Sequence, residues 1–460
     1  MTEIKSAALE LGTERIRKLL VQYAVPAIIA MTASSLYNMV DSIFIGHGVG
    51  PLAISGLALT FPLMNLAAAF GSLVGVGAAT LISMRLGQRD YETAQRVLGN
   101  VLVLNLIIGI AFGLVALLFL DSILYFFGAS EATIGYAREY MTVILLGNVV
   151  THMYLGLNSV LRASGHPRKS MYATINTVVI NTILDPLFIF GFGWGIRGAA
   201  IATVLAQGIS LILSNKQELL HFRRGIYRLR KKIVRDMLAI GMSPFLMNLA
   251  ACFIVILINK GLKEYGGDLM IGAYGIVNRL AFFFVMIVLG VNQGMQPIAG
   301  YNFGAKQYDR VMRVLKLTMI GATCVTTAGF LLGEFMPRLA VGMFTSDEEL
   351  IRLAVEGMRI VFFCFPIIGF QMVATNFFMS IGMAGKAIFL SLSRQLLFLM
   401  PGLIFLPHIF DVCTEWNGSW GVWCSMPLSD FLASLVAFFM LTYQLRKFRA
   451  IGAENAAKEG

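Results

Sequence analysis

The chain has 460 residues, of which 57% are hydrophobic and 13% are charged, and its mean hydropathy is +0.76. These values lie outside the range of ordinary soluble domains and indicate a protein with many membrane spans. The net charge of +11 would also suit a nucleic-acid-binding protein, but the placement of the basic residues favours a membrane protein.

Twelve apolar runs are long enough to cross a bilayer, because a membrane core of roughly 30 Å needs about 20 apolar residues per helix. Charged or Gly/Pro-rich segments separate these runs, so their number is better defined than their ends. In chain order the predicted spans, numbered 1 to 12, cover residues 19–45, 53–82, 97–120, 138–161, 171–192, 198–215, 237–259, 270–299, 315–336, 354–381, 387–408 and 420–445.

Most Lys and Arg residues fall at the N-terminus, at the C-terminus or in the loops that join even to odd spans. This is the positive-inside pattern of a protein with both termini in the cytoplasm. The densest basic run, His221 to Arg235, then becomes a central cytoplasmic connector that faces lipid headgroups. The polar N-terminus shows no cleavable signal peptide, so span 1 is expected to be retained.

The second half of the chain repeats the first at an offset of 217 residues. Ser83–Leu98 aligns with Gly300–Leu315, and Leu161–Lys169 aligns with Phe378–Lys386. Two copies of a six-helix unit have the same orientation, so the pseudo-two-fold axis that relates them runs along the membrane normal. The expected divisions are a cytoplasmic N-terminus (1–18), an N-terminal six-helix bundle (19–220), a basic connector (221–236), a C-terminal six-helix bundle (237–445) and a cytoplasmic tail (446–460).

The predicted fold is therefore an all-α membrane protein of two six-helix bundles. Two such bundles can rock against each other and expose a central cavity to each side of the membrane in turn. This architecture predicts a transporter that works by alternating access, and a duplication without functional consequence is the alternative.

The two halves differ in their intramembrane carboxylates. Asp41 in span 1 aligns with Asn259, and Asp185–Pro186 in span 5 aligns, within a residue or two, with Pro401–Gly402. Charged side chains are costly inside a membrane and commonly mark ion or substrate pathways. The chemistry of these acids therefore belongs to the N-terminal bundle.

Polar residues recur on one face of three spans in this bundle. The stripes are Ser34, Asn38 and Asp41 in span 1, Asn148, Thr151 and Asn158 in span 4, and Thr174, Thr177, Asn181 and Asp185 in span 5. With a helical rise of about 1.5 Å per residue, Asp41, Asp185 and Thr203 lie in the outer half of the bilayer, at depths where they can meet. Lipid offers no hydrogen bonds, so these groups need each other or water.

Two carboxylates in such a place cannot both ionise without a counter-cation. The site can hold a proton, or a Na⁺ ion ligated by carboxylate, amide and hydroxyl oxygens. Pro186 removes a backbone hydrogen bond and permits a bend beside Asp185, so binding of either cation could change a helix that lines the cavity. Singly, Asp185 could instead be a helix cap, Asp41 an interfacial residue and Thr203 a packing residue.

Several segments resemble the multidrug and toxic compound extrusion (MATE) family. They are MVDSIFIGHGVG at the end of span 1, LRASGHPRKSM after span 4 and NTILDPLFIFGFGWGIRGAAIAT across spans 5 and 6. The resemblance covers roughly residues 17–449. It implies a bacterial antiporter of the inner or plasma membrane, with a role in drug resistance, that exports organic, often cationic, drugs in exchange for H⁺ or Na⁺.

The resemblance is to the DinF-like branch of that family, in which acids of the N-terminal bundle form the coupling site. It implies that Asp41, Asn181, Asp185 and Thr203 bind H⁺ or Na⁺, with Tyr140, Asn158 and Pro186 as the supporting network. The NorM-like branch carries acids in spans 7 and 10, and those segments contain none here. No enzymatic activity, cofactor or nucleic-acid partner is expected, and the partners are small drugs and membrane lipids around a monomer.

Three other functions are alternatives. A lipid or lipid-linked oligosaccharide flippase of the same superfamily would need several cationic residues in a hydrophilic cavity, and only Arg279 stands out within a span. A channel or receptor would have no coupled cycle. A major-facilitator transporter would carry a G-x-x-x-D-R signature between spans 2 and 3, which is absent. Arg279 and Asp430 could pair or line the cavity, whereas His152 is isolated in the sequence and has no assigned chemistry.

Overall fold

The structure is a computed structural model that describes residues 10–49, 51–127, 129–215, 226–344, 347–413 and 417–459. These residues are helical almost throughout and include no strand. Within the described ranges, ten helices are long and apolar enough to cross a membrane, and two bent helix pairs bring the total to as many as twelve spans. The predicted connector lies partly outside the described set, which omits residues 216–225.

The first half of the chain supplies spans 1 to 6. Its helices are α1 (Ile16–Gly48), α2 (Pro51–Gly87), α3 (Tyr91–Leu118), α4 (Leu120–Phe126), α5 (Ile134–Leu146), α6 (Asn148–Ala163), α7 (Pro167–Pro186) and α8 (Gly195–Asn215), with a π-helix at Leu187–Gly191 after α7. The short α4 lies between spans, and α5 and α6 together form span 4.

The second half supplies spans 7 to 12. Its helices are α9 (Lys231–Leu262), α10 (Leu269–Gly304), α11 (Tyr308–Phe335), α12 (Pro337–Gly342), α13 (Glu348–Phe363), α14 (Phe365–Ser380), α15 (Ala384–Leu392), α16 (Met400–Cys413) and α17 (Gly418–Glu459), with a π-helix at Ser393–Leu399 before α16. The backbone is helical from α9 into α10 except at Gly267, which has a φ of 70°.

The backbone repeats at the offset of 217 residues that the sequence alignment gives. Arg89 and Lys306 both have left-handed backbone angles, with φ of 61° and 59°. Gly165 and Gly382 follow the same relationship, with φ of 97° and 75°. The two halves therefore share local geometry at both turns, although Arg89 and Lys306 differ in type.

Spans 4 and 10, predicted as continuous apolar runs, are each broken in the middle. The bend is 57° between α5 and α6 at Gly147, and 51° between α13 and α14 at Cys364, again 217 residues apart. Pro366 accounts for the second break, because proline removes a backbone donor and is tolerated only in the first turn of a new helix. Periodicity of apolar residues does not reveal such a break, since both segments keep their hydrophobic faces.

The helices pack into two compact units. The first consists mainly of Ile29–Phe245, and the second combines Glu14–Ile28 with Leu246–Gly460. The chain therefore passes from one unit to the other inside α1 and again inside α9. Pro26 and Pro244 lie next to these two crossing points.

Glycines allow close packing of the two helix segments that belong to the opposite unit from the rest of their half of the chain, one in α1 and one in α9. In the first unit, a Cβ atom on Gly241 of α9 would overlap the carbonyl oxygen of Leu73 of α2. In the second unit, a Cβ atom on Gly294 of α10 would lie 2.6 Å from the Cα of Ala24 of α1. Neither position has room for a side chain, so each contact requires glycine.

The core of the first unit surrounds the predicted coupling residues. Residues from α1, α2, α5 and α8 and from the π-helix after α7 meet there, including Ile45, Leu57, Tyr140, Ile189 and Ala199. Close packing of this kind restricts side chains to single rotamers. Polar groups inside this core are therefore held in fixed positions.

Candidate functional site

The structure brings Asp41, Asn181, Asp185 and Thr203 together in the first unit. All four are buried, and Asp185 is completely inaccessible. Asp41 comes from α1, the next two from α7 and Thr203 from α8. The carboxyl groups of Asp41 and Asp185 are neighbours, close enough to interact electrostatically.

Hydrogen bonds join α7 to α8 at this cluster. The Nδ2 of Asn181 donates to Oδ1 of Asp185 at 3.2 Å and to Oγ1 of Thr203 at 3.3 Å. The Thr203 hydroxyl also donates to the carbonyl of Ala199 one turn earlier, at 3.1 Å. The spacing of four residues between Asn181 and Asp185 places them on one face of α7, which is why a single amide can reach both neighbours.

Tyr37 belongs to the same cluster and was missed in the sequence. Its hydroxyl lies 2.9 Å from Oγ1 of Thr203 and so joins α1 to α8. A signal was available, because Tyr37 precedes Asp41 by four residues and shares its helix face. Asn38, which the sequence placed in the polar stripe of span 1, has a side chain outside the described set.

Three buried oxygens in the cluster have no hydrogen-bond partner among the described residues. They are Oδ1 of Asp41, Oδ1 of Asn181 and Oδ2 of Asp185. Buried oxygens of this kind are costly unless a donor or a cation reaches them. Carboxylate, amide and hydroxyl oxygens are also hard ligands, so this set of atoms can accept a proton or an oxygen-ligated cation such as Na⁺.

The backbone changes form immediately after Asp185. Helix α7 ends at Pro186, and the five residues Leu187–Gly191 form a π-helix. Proline supplies no N–H to the preceding turn, and π-bulges commonly occur beside functional groups. The predicted irregularity at Pro186 is thus a widened helical turn that follows the acid directly.

The supporting residues lie at different distances from the acids. Tyr140 of α5 is buried and close enough to Thr203, Asp41 and Asp185 to interact with them. Asn158 of α6 donates to Oγ1 of Thr174 at 2.9 Å and accepts a hydrogen bond from Ser170. Because Thr174 precedes Asn181 by about two helical turns, these contacts of Asn158 belong to a separate polar group nearer the predicted cytoplasmic end.

The second unit contains a part-buried ion pair that the sequence did not reveal. Nε of Arg394, in the π-helix before α16, lies 2.5 Å from Oδ1 of Asp430 in α17. The sequence allowed a pair between Asp430 and Arg279, but Arg279 is exposed on α10. Arg394 lies inside predicted span 11 and was overlooked there, although an arginine in an apolar run is itself a signal.

A helical body of up to twelve spans, duplicated in sequence and with a buried acid cluster in one unit, defines the class of membrane transporters. The chain belongs to the MatE family, whose sequence profile matches residues 26–187 and 240–404. The family predicted from the sequence motifs is therefore confirmed. Its assignment to the DinF-like branch stays a prediction.

Curated relatives match along almost the whole chain. The multidrug export protein MepA of Staphylococcus haemolyticus (strain JCSC1435) is 27% identical over 434 residues, which cover 93% of this chain and 94% of the relative. MepA of Staphylococcus aureus (strain NCTC 8325 / PS 47) is 28% identical over 438 residues, with coverage of 93% and 94%.

A solved structure has the same fold. It is described as the outward-facing conformation of a multidrug resistance MATE family transporter of the MOP superfamily. The TM-score is 0.89 at 23% identity, and the superposition covers 96% of this chain and 98% of the other. At this identity the likeness concerns the fold alone, and it confirms the predicted all-α architecture of two helical bundles.

Proposed function

We propose that the protein is a secondary active multidrug exporter of the plasma membrane. It exchanges organic, often cationic, compounds for H⁺ or Na⁺ by alternating access. Membership of the MatE family and similarity to proteins named multidrug export protein MepA support the transported class. The observation that carries the coupling mechanism is the burial of Asp41 and Asp185 side by side on two different helices.

The acid pair is proposed to bind one proton or one Na⁺ ion per cycle. Two adjacent carboxylates in a buried site disfavour the doubly ionised state, so the site takes up a cation when it has access to one. A proton between Asp41 and Asp185 joins α1 to α7 by a hydrogen bond. Na⁺ would join the same helices through the unpaired oxygens of both acids and of Asn181.

Release of the cation then acts through α1. This helix carries Asp41 in the first unit, whereas its earlier part, Glu14–Ile28, belongs to the second unit. A change in the position of Asp41 is therefore carried along a helix that belongs to both units. Coupling requires that the cation and the drug favour different states of the transporter.

The flippase alternative has less support. Arg394, which lies inside predicted span 11, is paired with Asp430, so its charge is not free to bind an anionic lipid carrier. The named relatives are drug exporters. We therefore retain only the exporter as the proposed function.

Transport in proteoliposomes tests this proposal. Vesicles loaded with a fluorescent organic cation are given an imposed H⁺ gradient, an imposed Na⁺ gradient or neither, and dye movement is followed. The expected result is gradient-driven transport that Asp41→Asn and Asp185→Asn each abolish. Asp121→Asn is the matched control, because Asp121 is an exposed acid of the same unit that pairs with Arg138. Unchanged gradient-driven transport in the first two variants would refute the coupling mechanism.

A further inference from the structure

Three buried polar side chains of the first unit are not used by the proposed mechanism. Asn105 of α3 and Asn148 and His152 of α6 are all at most 1% exposed. Four of their polar atoms have no partner among the described residues: Oδ1 and Nδ2 of Asn105, Oδ1 of Asn148 and Nδ1 of His152. Unpaired buried polar atoms are rare in native proteins, and such a concentration in one place points to a ligand.

These side chains share the contact between α3 and α6. Nδ2 of Asn148 donates to the carbonyl of Gly109 at 3.1 Å. Nδ1 of His152 faces the same glycine, 3.5 Å from the position that a Cβ atom on Gly109 would take. Asn105 lies one turn before Gly109 and faces Gly156, one turn after His152. The polar atoms therefore follow one seam, which we define as Asn105, Asn148 and His152.

The protonation state of His152 follows from its other nitrogen. Nε2 lies 2.9 Å from the carbonyl oxygen of Ala67 on α2. A carbonyl can only accept, so Nε2 carries the proton, and Nδ1 of the neutral ring is an acceptor. The seam thus offers three acceptors and one amide donor to whatever occupies it.

The repeat provides a comparison within the molecule. At the offset of 217 residues, Asn105, Asn148 and His152 correspond to Ala322, Phe365 and Gly369. Ala322 and Phe365 are buried, and the Phe365 ring packs against Phe362 at a centroid distance of 4.1 Å. The second unit therefore has no polar side chain at these three positions, although the Thr326 hydroxyl lies beside Gly369 in the same contact. Polar side chains at these positions are not a requirement of the fold.

We propose that the seam of Asn105, Asn148 and His152 is an internal water-binding site. Water suits it because one molecule can donate to two of the acceptors and accept from the Asn105 amide, and buried waters typically make about three hydrogen bonds. A bound cation is disfavoured because the seam contains no carboxylate. The site adjoins the bend between α5 and α6, where Asn148 begins α6, and water commonly replaces missing backbone contacts at helix breaks. This site does not depend on the proposed transport function.

Solid-state NMR of the full-length protein in lipid bilayers tests the site. The protein is labelled with ¹⁵N-histidine, and the His152 signals among the five histidines are assigned by their loss in His152→Gln. The expected spectrum shows a neutral ring with the proton on Nε2, an Nδ1 shift displaced as for a hydrogen-bonded acceptor, and a cross peak from Nδ1 to water. An Nδ1 shift of a free acceptor without a water cross peak would overturn the proposal, as would a direct contact between Nδ1 and a protein donor.

A variant of Asn105 tests whether the water cross peak of His152 comes from the seam or from the other surroundings of the imidazole ring. Asn105→Leu removes the amide of the seam with little change in volume and leaves His152 and its contact with Ala67 in place. We expect the water cross peak to weaken or disappear while the Nε2 signal stays unchanged. Ala322→Leu, at the corresponding position of the second unit, should leave the His152 spectrum as in the wild type. Persistence of the full water cross peak in Asn105→Leu would contradict the assigned role of the seam.

Discussion

The hydroxyl groups of Tyr37 and Thr203 lie 2.9 Å apart and join α1 to α8 beside the acid pair. Thr203 also receives the amide of Asn181, so a single threonine connects three helices. This arrangement gives α1, which carries Asp41, a direct hydrogen-bonded link to the rest of the cluster. The tyrosine therefore positions the acid on α1 without itself carrying charge.

Replacement of Tyr37 by Phe should lower gradient-driven transport without preventing folding. The lost hydrogen bond is worth about 1 kcal/mol, which corresponds to roughly a fivefold decrease in rate if the bond is needed at the limiting step. Dye transport in proteoliposomes measures this effect, and Tyr125→Phe, at an exposed tyrosine, is the control. An unaltered transport rate in Tyr37→Phe would show that the link to Thr203 has no part in coupling.

The Arg394–Asp430 pair should be more important for stability than for transport. Arg394→Met leaves Asp430 buried without its counter-ion and should destabilise the protein by about 3–5 kcal/mol. The double variant Arg394→Met/Asp430→Leu removes both charges and should recover most of that loss. Thermal unfolding of Arg394→Met, Asp430→Leu and the double variant in detergent gives the comparison. If the double variant is as unstable as the sum of the single ones, the two side chains are not coupled.

Asp90 and Gln307 offer a matched pair of helix caps, one in each half. Asp90 caps α3 through a hydrogen bond from the backbone of Thr93 at 3.1 Å, whereas Gln307 precedes α11 with nearly the same backbone angles and has no side-chain cap. Asp90→Gln should cost about 1 kcal/mol, and Gln307→Asp should stabilise by a similar or smaller amount. Unfolding measurements at neutral pH test both, and equal effects of the same sign would contradict the cap assignment.

The same cap gives stability a pH dependence. The hydrogen bonds from Thr93, with help from Arg85 and Arg96, lower the pKa of Asp90. Because the folded pKa is below the unfolded value of about 3.9, the stabilisation is fully present above the unfolded pKa and is lost as the pH falls through the folded pKa. The stability difference between wild type and Asp90→Asn should therefore shrink as the pH falls below about 4 and disappear below the folded pKa of Asp90. A constant difference between them down to pH 2 would exclude this linkage.

Substitution of Gly241 by Ala should be strongly destabilising, because its Cβ atom would overlap the backbone of Leu73 in the first unit. Overpacking of this kind costs about 1–3 kcal/mol, or more where only backbone can move. Gly135→Ala is the control, because a Cβ atom there meets nothing within 4 Å and alanine favours the helix. Melting temperatures in detergent should fall for the first variant and stay or rise for the second. A tolerated Gly241→Ala would mean that α2 and α9 can separate freely.

Much of the fold followed from simple periodicity. Apolar runs of sufficient length predicted the spans, and the repeat of Arg89 at Lys306 shows that the alignment of the halves was correct to the residue. The bends at Gly147 and Cys364 were not predicted, because a break in the backbone leaves the hydrophobic pattern intact. The exchange of helix segments between units also depends on long-range packing that no local pattern records.

The candidate site was predictable to the extent that its residues are charged or regularly spaced. Asp41 and Asp185 stood out because carboxylates are rare in apolar runs, and Asn181 followed from its spacing of four residues. Tyrosine is common in membrane helices, so Tyr37 gave a weaker signal. Arg394 is a charged residue in an apolar run, so the same argument applies to it. Its partner, Asp430, could be identified only from the structure, because several polar residues were candidates.

The exchange inside α1 and α9 has a consequence for how the protein is made. Neither half of the sequence contains a whole unit, since the first unit needs the beginning of α9 and the second needs Glu14–Ile28 of α1. During translation the first bundle therefore remains incomplete until span 7 has been synthesised and inserted. Each half of the chain therefore needs a segment of the other half to complete its bundle.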